Sequence, residues 1–168
     1  VSTVVFAGIF ILFQITAAIA DYYGPKLYRR IYEKYCAKYV KDVFPGEIPS
    51  DAVDVSFLYS MTFLQGGEIL RLEYTVRSED LDSVKSKLDK QSFWYSRLCE
   101  METADSAPPA EFIEDYIDEG MASDEGTVVY MIKSDDNGGV DFPWNHGIYL
   151  AVVMSLEAGR ICYLYENW

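Results

Sequence analysis

VDVSFLYSMTFLQGGEILRLEYTV, residues 53–76, decides the fold of this 168-residue chain. Val53, Val55, Phe57, Tyr59, Met61 and Phe63 alternate with Asp54, Ser56, Ser60 and Thr62. A period of two is the mark of a strand with one buried face, because successive side chains point to opposite sides of the pleat. Gln65-Gly66-Gly67-Glu68 supplies a turn, and Leu70, Leu72, Tyr74 and Val76 then alternate with Arg71, Glu73, Thr75 and Arg77. The two runs form a β-hairpin.

Downstream, Ser78 is a natural N-cap for a helix over Asp80 to Lys90. Glu79, Asp80 and Asp82 stand at its start and Lys85, Lys87 and Lys90 towards its end, opposing the helix dipole. Met101 to Ala110, with Pro108-Pro109, reads as a loop. Phe112, Ile113, Tyr116 and Ile117 then fit a short acidic helix that Gly120 can end. Thr127 to Lys133 is a strand, and Ser134 to Val140 a polar loop. Ile148 to Leu156 is apolar on both alternating faces, as a central strand is. Glu157-Ala158-Gly159-Arg160 turns the chain into a last strand, Ile161 to Tyr165. The fold class is therefore α+β: a mostly antiparallel sheet of about five strands with helices on one face, in a single domain over residues 44–168.

Upstream, Leu27, Tyr28, Ile31, Tyr32, Tyr35, Cys36, Tyr39, Val40 and Val43 recur at three and four, with Arg30, Lys34, Lys38 and Lys41 at other angles. Residues 21–43 thus read as an amphipathic helix leading into the domain. Its tyrosine-rich stripe is expected to lie on the sheet, the alternative being the lipid interface. Before it, the first 20 residues carry no charge, about the length that crosses a ~30 Å hydrocarbon layer as a helix. This segment is read as a membrane anchor or, from Ala18-Ile19-Ala20 before Asp21, as a signal segment with a cleavage site. The chain begins with Val, so further upstream sequence is expected. Lys26, Arg29, Arg30 and Lys34 follow the segment, and the positive-inside rule alone would hold the domain in the cytoplasm. A signal-like segment ahead of a small domain is more usually an export device, and the balance tips towards a membrane-anchored, extracytoplasmic domain.

Charge narrows the function classes. Lys26 to Val43 carries six basic and two acidic residues, whereas Phe44 to Trp168 carries eight basic and 24 acidic, a net of −16. Such a surface repels phosphate backbones, and nucleic acid is excluded as a direct partner. A basic protein partner is compatible with it. Cys36, Cys99 and Cys162 lie far apart, without zinc or redox spacing.

No catalytic, cofactor or metal site is assigned. His146 is the sole histidine, and no local motif joins it to Cys99, Cys162 or a carboxylate as nucleophile and base. Asp135-Asp136-Asn137-Gly138-Gly139-Val140-Asp141 has oxygen ligands but only fragments of a calcium-loop pattern. Glu114-Asp115 and Asp118-Glu119 read as solvated surface rather than as a glycosidase pair. The candidate interaction surface is Phe142, Trp144, His146, Tyr149 and Trp168. The function expected is that of a membrane-tethered, non-enzymatic domain working through protein or ligand contacts. The alternatives are an acidic inhibitor of a basic partner and an enzyme built on His146.

Overall fold

A computed structural model describes residues 22–62, 67–103, 113–136 and 147–167. The hydrophobic segment 1–20, the tip of the hairpin, the Pro108-Pro109 loop and the 137–146 loop lie outside the described residues. Among the described residues no helix is long and apolar enough to cross a membrane.

The strands are β1 (Tyr22–Tyr23), β2 (Val53–Thr62), β3 (Gly67–Thr75), β4 (Trp94–Arg97), β5 (Val128–Asp136), β6 (Gly147–Ser155) and β7 (Arg160–Asn167). They form one sheet in the order β1-β2-β3-β7-β6-β5-β4, with every neighbouring pair antiparallel. The α+β, antiparallel reading therefore holds. The sheet exceeds the expected five strands by two short edge pieces, the two-residue β1 and the four-residue β4.

The hairpin forms as its alternation requires: Phe57 faces Leu72 and Tyr59 faces Leu70 across the β2–β3 ladder. The register slips between Val53 and Ser56, and Asp54 takes a φ of 51° there. Aspartate tolerates this left-handed conformation better than most side chains. β7 then inserts beside β3, pairing Leu72 with Tyr163 and Tyr74 with Ile161. This long-range pairing closes the sheet.

Two cores result. On the first face, Leu70, Leu72, Tyr74, Leu150, Val152, Met154, Ile161, Tyr163 and Tyr165 meet residues from three helices: α1 (Tyr28–Lys34), α2 (Lys38–Lys41) and α3 (Ser78–Gln91). Leu72 is fully buried, and its truncation to alanine would cost about 2–5 kcal/mol by leaving a cavity. On the second face, Val129, Met131, Ala151, Val153, Cys162 and Leu164 are covered by Leu98 and Met101 of a 3-10 turn (Leu98–Thr103), by Ile113 and Ile117, and by Met121 of α4 (Glu119–Ala122). Helices on one face is thus corrected to cover on both. The physical reason is that β6 and β7 are buried along nearly their whole length, and a strand apolar on both sides needs two layers.

The amphipathic run is also corrected. It is a 3-10 turn (Pro25–Leu27) continuing into α1, then an interruption, then the single turn of α2. Ala37 is extended, with ψ at 160°. The break is held by Lys41 Nζ donating to the Glu33 carbonyl at 3.0 Å and by Tyr32 Oη donating to the Lys41 carbonyl at 3.1 Å. The first bond also satisfies a carbonyl near the C-terminal end of α1, where a cation is favoured. The stripe lies on the sheet, as expected: Tyr28 and Phe57 meet edge to face at 5.3 Å, and the hydroxyls of Tyr39 and Tyr165 lie 3.0 Å apart.

Two helix ends differ from the sequence reading by small steps. Arg77, not Ser78, is the N-cap of α3, and it pairs with Asp51 at 3.0 Å. Gly120 lies inside α4 instead of ending the preceding turn, because Asp118 caps that helix by accepting from the Gly120 amide at 2.8 Å.

Candidate functional site

The same alternation that sends Leu70, Leu72 and Tyr74 into the first core sends Arg71 and Glu73 to the second face. There they meet the even-numbered side chains of β7, since Glu73 lies opposite Cys162 and Arg71 opposite Leu164. Glu166 lies opposite Tyr149 on the other flank of β7. Tyr116 and Asp118, from the segment covering this face, complete a charged and phenolic cluster.

Glu73, 2% exposed, is its centre. One carboxylate oxygen is bonded by the Arg71 guanidinium, and the other lies 3.2 Å from Arg160 Nε. Arg160 also reaches Asp118 Oδ1 at 2.6 Å with its Nη1. The order Arg71, Glu73, Arg160, Asp118 is thus a continuous ion chain from the sheet to the cap of α4. Neither arginine Nε has a hydrogen-bond partner among the described residues, so the chain is not fully satisfied. Tyr116 Oη donates to Glu166 Oε1 at 3.0 Å, and Glu166 is as buried as Glu73. Burial, followed by the charge of Glu166, raises both the Tyr116 and the Tyr149 phenol, keeping them protonated as donors.

This arrangement joins the sheet to the layer that covers its second face. Cys162 sits inside it fully buried, and burial with the charge of Glu73 pushes its thiol up to about 12. A thiol so raised is not a nucleophile at neutral pH. The Cys36 thiol is likewise pushed up to about 12 by burial, whereas Cys99 is exposed. Among the described residues no group of His, Cys, Asp and Glu could hold a metal ion.

A second polar feature lies beside α4. Ser155 Oγ donates to Asp124 Oδ2 at 2.5 Å, and Asp124 Oδ1 accepts from the Gly126 amide at 2.8 Å. These bonds, that from Ser155 foremost, hold the Asp124 carboxyl below the usual range. With Glu125 and Glu157, Asp124 lines a shallow acidic groove.

Of the five residues proposed from sequence, Tyr149 alone is described, and it is buried at 4% against Glu166 rather than displayed on a surface. Phe142, Trp144, His146 and Trp168 lie outside the described residues. Asp135 ends in an ion pair with Lys133, while Asn137 to Asp141 of the calcium-like run are also outside them. Sequence reasoning missed the ion chain. Its one visible signal was opposite charge at Arg71 and Glu73, two apart on a strand and therefore on one face.

No family model matches the chain, and it has no significant match among curated proteins or solved structures.

Proposed function

We propose that the chain is a membrane-tethered, non-enzymatic domain that acts through protein or ligand contacts. The observation that carries this reading is the run of 20 uncharged residues ahead of a sheet whose two cores are already covered. With both faces of the sheet occupied, the first core has its own helices and does not need a further apolar helix. A length of about 20 apolar residues matches a bilayer instead. The protonated thiol of Cys162 and the ion-paired state of Glu73 agree with a binding role.

The test is fractionation of cells expressing the full chain and a variant lacking residues 1–20. The full chain should sediment with membranes and resist alkaline extraction, and the shortened one should not. A full chain that is wholly soluble and unprocessed would refute the reading. Protease protection of the same membranes assigns the side, with an extracytoplasmic domain expected.

A second reading, an acidic inhibitor of a basic partner, is favoured by the groove of Asp124, Glu125 and Glu157. Its association should weaken steeply with salt. Failure to recover a basic protein at low ionic strength would count against it.

A further inference from the structure

Resting on the tether reading, we propose that the outward face of the Pro25–Lys34 helix is a docking surface for anionic lipid headgroups, and that it sets which side of the domain faces the bilayer. Tyr28 and Ile31 are buried in the first core, which fixes the rotation of the helix. Lys26, Arg29, Arg30 and Lys34 are consequently exposed together and line one shallow concavity with Glu33. Arg29 is shared between Glu33 at 2.9 Å and Glu47 at 3.2 Å. Lys26 and Arg30 form no ion pair among the described residues. Lys34 lies over the exposed ring of Tyr35, 5.0 Å from its centre, an arrangement suited to a headgroup boundary.

Two further observations select lipid over other anions. The first is position. Lys26 lies six residues beyond Ala20, at most about 20 Å of extended chain, and Tyr22 and Tyr23 are held in the sheet beside Tyr59 and Leu58. A surface that holds residues 1–20 is therefore close to this face. The second is contrast. Residues 26–43 carry a net charge of +4 on a chain whose remainder from Phe44 on carries −16. An anionic leaflet attracts the one and repels the other, so a single orientation is favoured. Each cation near such a leaflet is worth about fivefold in the docked-to-undocked ratio, and removing three should lower that ratio on the order of 100-fold.

The experiment uses the full chain reconstituted into vesicles of phosphatidylcholine, with or without phosphatidylglycerol, doped with a lipid carrying a headgroup nitroxide. A thiol-reactive dye is placed on the basic face through Glu33→Cys in a Cys99→Ser background, and separately on the native, exposed Cys99, with Cys36 and Cys162 shielded by burial. The Glu33→Cys dye should be quenched in anionic vesicles, and should recover in high salt and in the Lys26→Gln/Arg30→Gln/Lys34→Gln variant. The Cys99 dye, across the sheet beside the second core, should stay bright. Equal quenching of the Glu33→Cys dye in neutral and anionic vesicles would overturn the inference. So would quenching that follows protein density rather than lipid charge, which would mean that the acidic body of a second copy fills the face. A chain that does not co-float with either vesicle refutes the tether reading instead, and the two failures are told apart by flotation alone.

Discussion

Glu73→Gln is the most informative single change. The side chain keeps its volume but loses its charge at a 2% exposed position, leaving Arg71 and Arg160 to face each other across a neutral amide. At the 3.2 Å separation from Arg160, an effective dielectric of ~20 gives roughly 5 kcal/mol of gross attraction. Desolvation offsets much of this, and both arginines keep some contact with water at 22% and 24% side-chain exposure. Removing one partner from a buried pair costs about 3–5 kcal/mol, and the partial exposure here lowers the expected loss to about 2–4 kcal/mol. Equilibrium urea unfolding of the full chain in detergent, followed by tyrosine fluorescence, gives this number. A cycle with Arg160→Gln isolates the pair, with an expected coupling above about 1 kcal/mol because the two groups share one network. Glu73→Gln within ~0.5 kcal/mol of the parent chain, the range of an ordinary surface substitution, would refute a stabilising role for the ion chain.

Three other outcomes follow from the same structure. Gly159→Ala should destabilise by more than about 1 kcal/mol in thermal unfolding, because a Cβ there would lie 2.6 Å from the Val76 carbonyl oxygen at a φ of +70°. With a disulfide-exchange reagent at mildly alkaline pH, Cys99 should react at once, and Cys36 and Cys162 only on unfolding; fast reaction of all three would disprove their burial. Stability should also fall at alkaline pH. Burial raises the folded thiols of Cys36 and Cys162 and the phenols of Tyr28, Tyr116, Tyr149, Tyr163 and Tyr165, so their contribution is whole below the unfolded values near 8.5 and 10 and is lost as pH rises through the folded ones. The phenolate absorbance of these five tyrosines should then appear in a cooperative step together with unfolding, and absorbance from all 14 tyrosines rising gradually at intact secondary structure would contradict this.

The parts of the fold legible in sequence are those where local pattern and tertiary role agree. Phe57 and Tyr59 on β2 and Leu70, Leu72 and Tyr74 on β3 recur at every second position because the hairpin shows the first core one face, and β6 reads as central because both its faces are buried. The two-sided apolarity of Ile148 to Leu156 already implied a second layer, but the residues forming it, such as Leu98, Met101 and Met121, sit in turns too short to have a period. The interruption at Tyr35 to Ala37 carries neither Gly nor Pro. It depends on bonds from Lys41 and Tyr32 that exist only after α2 has folded back. β4 spans four residues, fewer than a periodic pattern needs to stand out. The ion chain was hidden for a related reason: polar residues alternating on a strand look solvated, and nothing in the local pattern shows that Glu73 is buried and paired with both Arg71 and Arg160. Tyr149, chosen as a surface aromatic, proved to be a wall of that interior.

The two-residue strand β1 has a mechanical consequence. Any pull applied through residues 1–21 reaches the body at Tyr22, on the rim of the sheet, where two antiparallel rungs to Tyr59 and Leu58 and the Gly24 amide bond to Phe57 are loaded one after another. Rungs loaded in sequence peel like a zipper, whereas Tyr28 and Ile31 of α1 behind them are buried in the first core. The stretch from Tyr22 to Gly24 would therefore yield first, as a short extensible leash that spares the body when the attachment is strained.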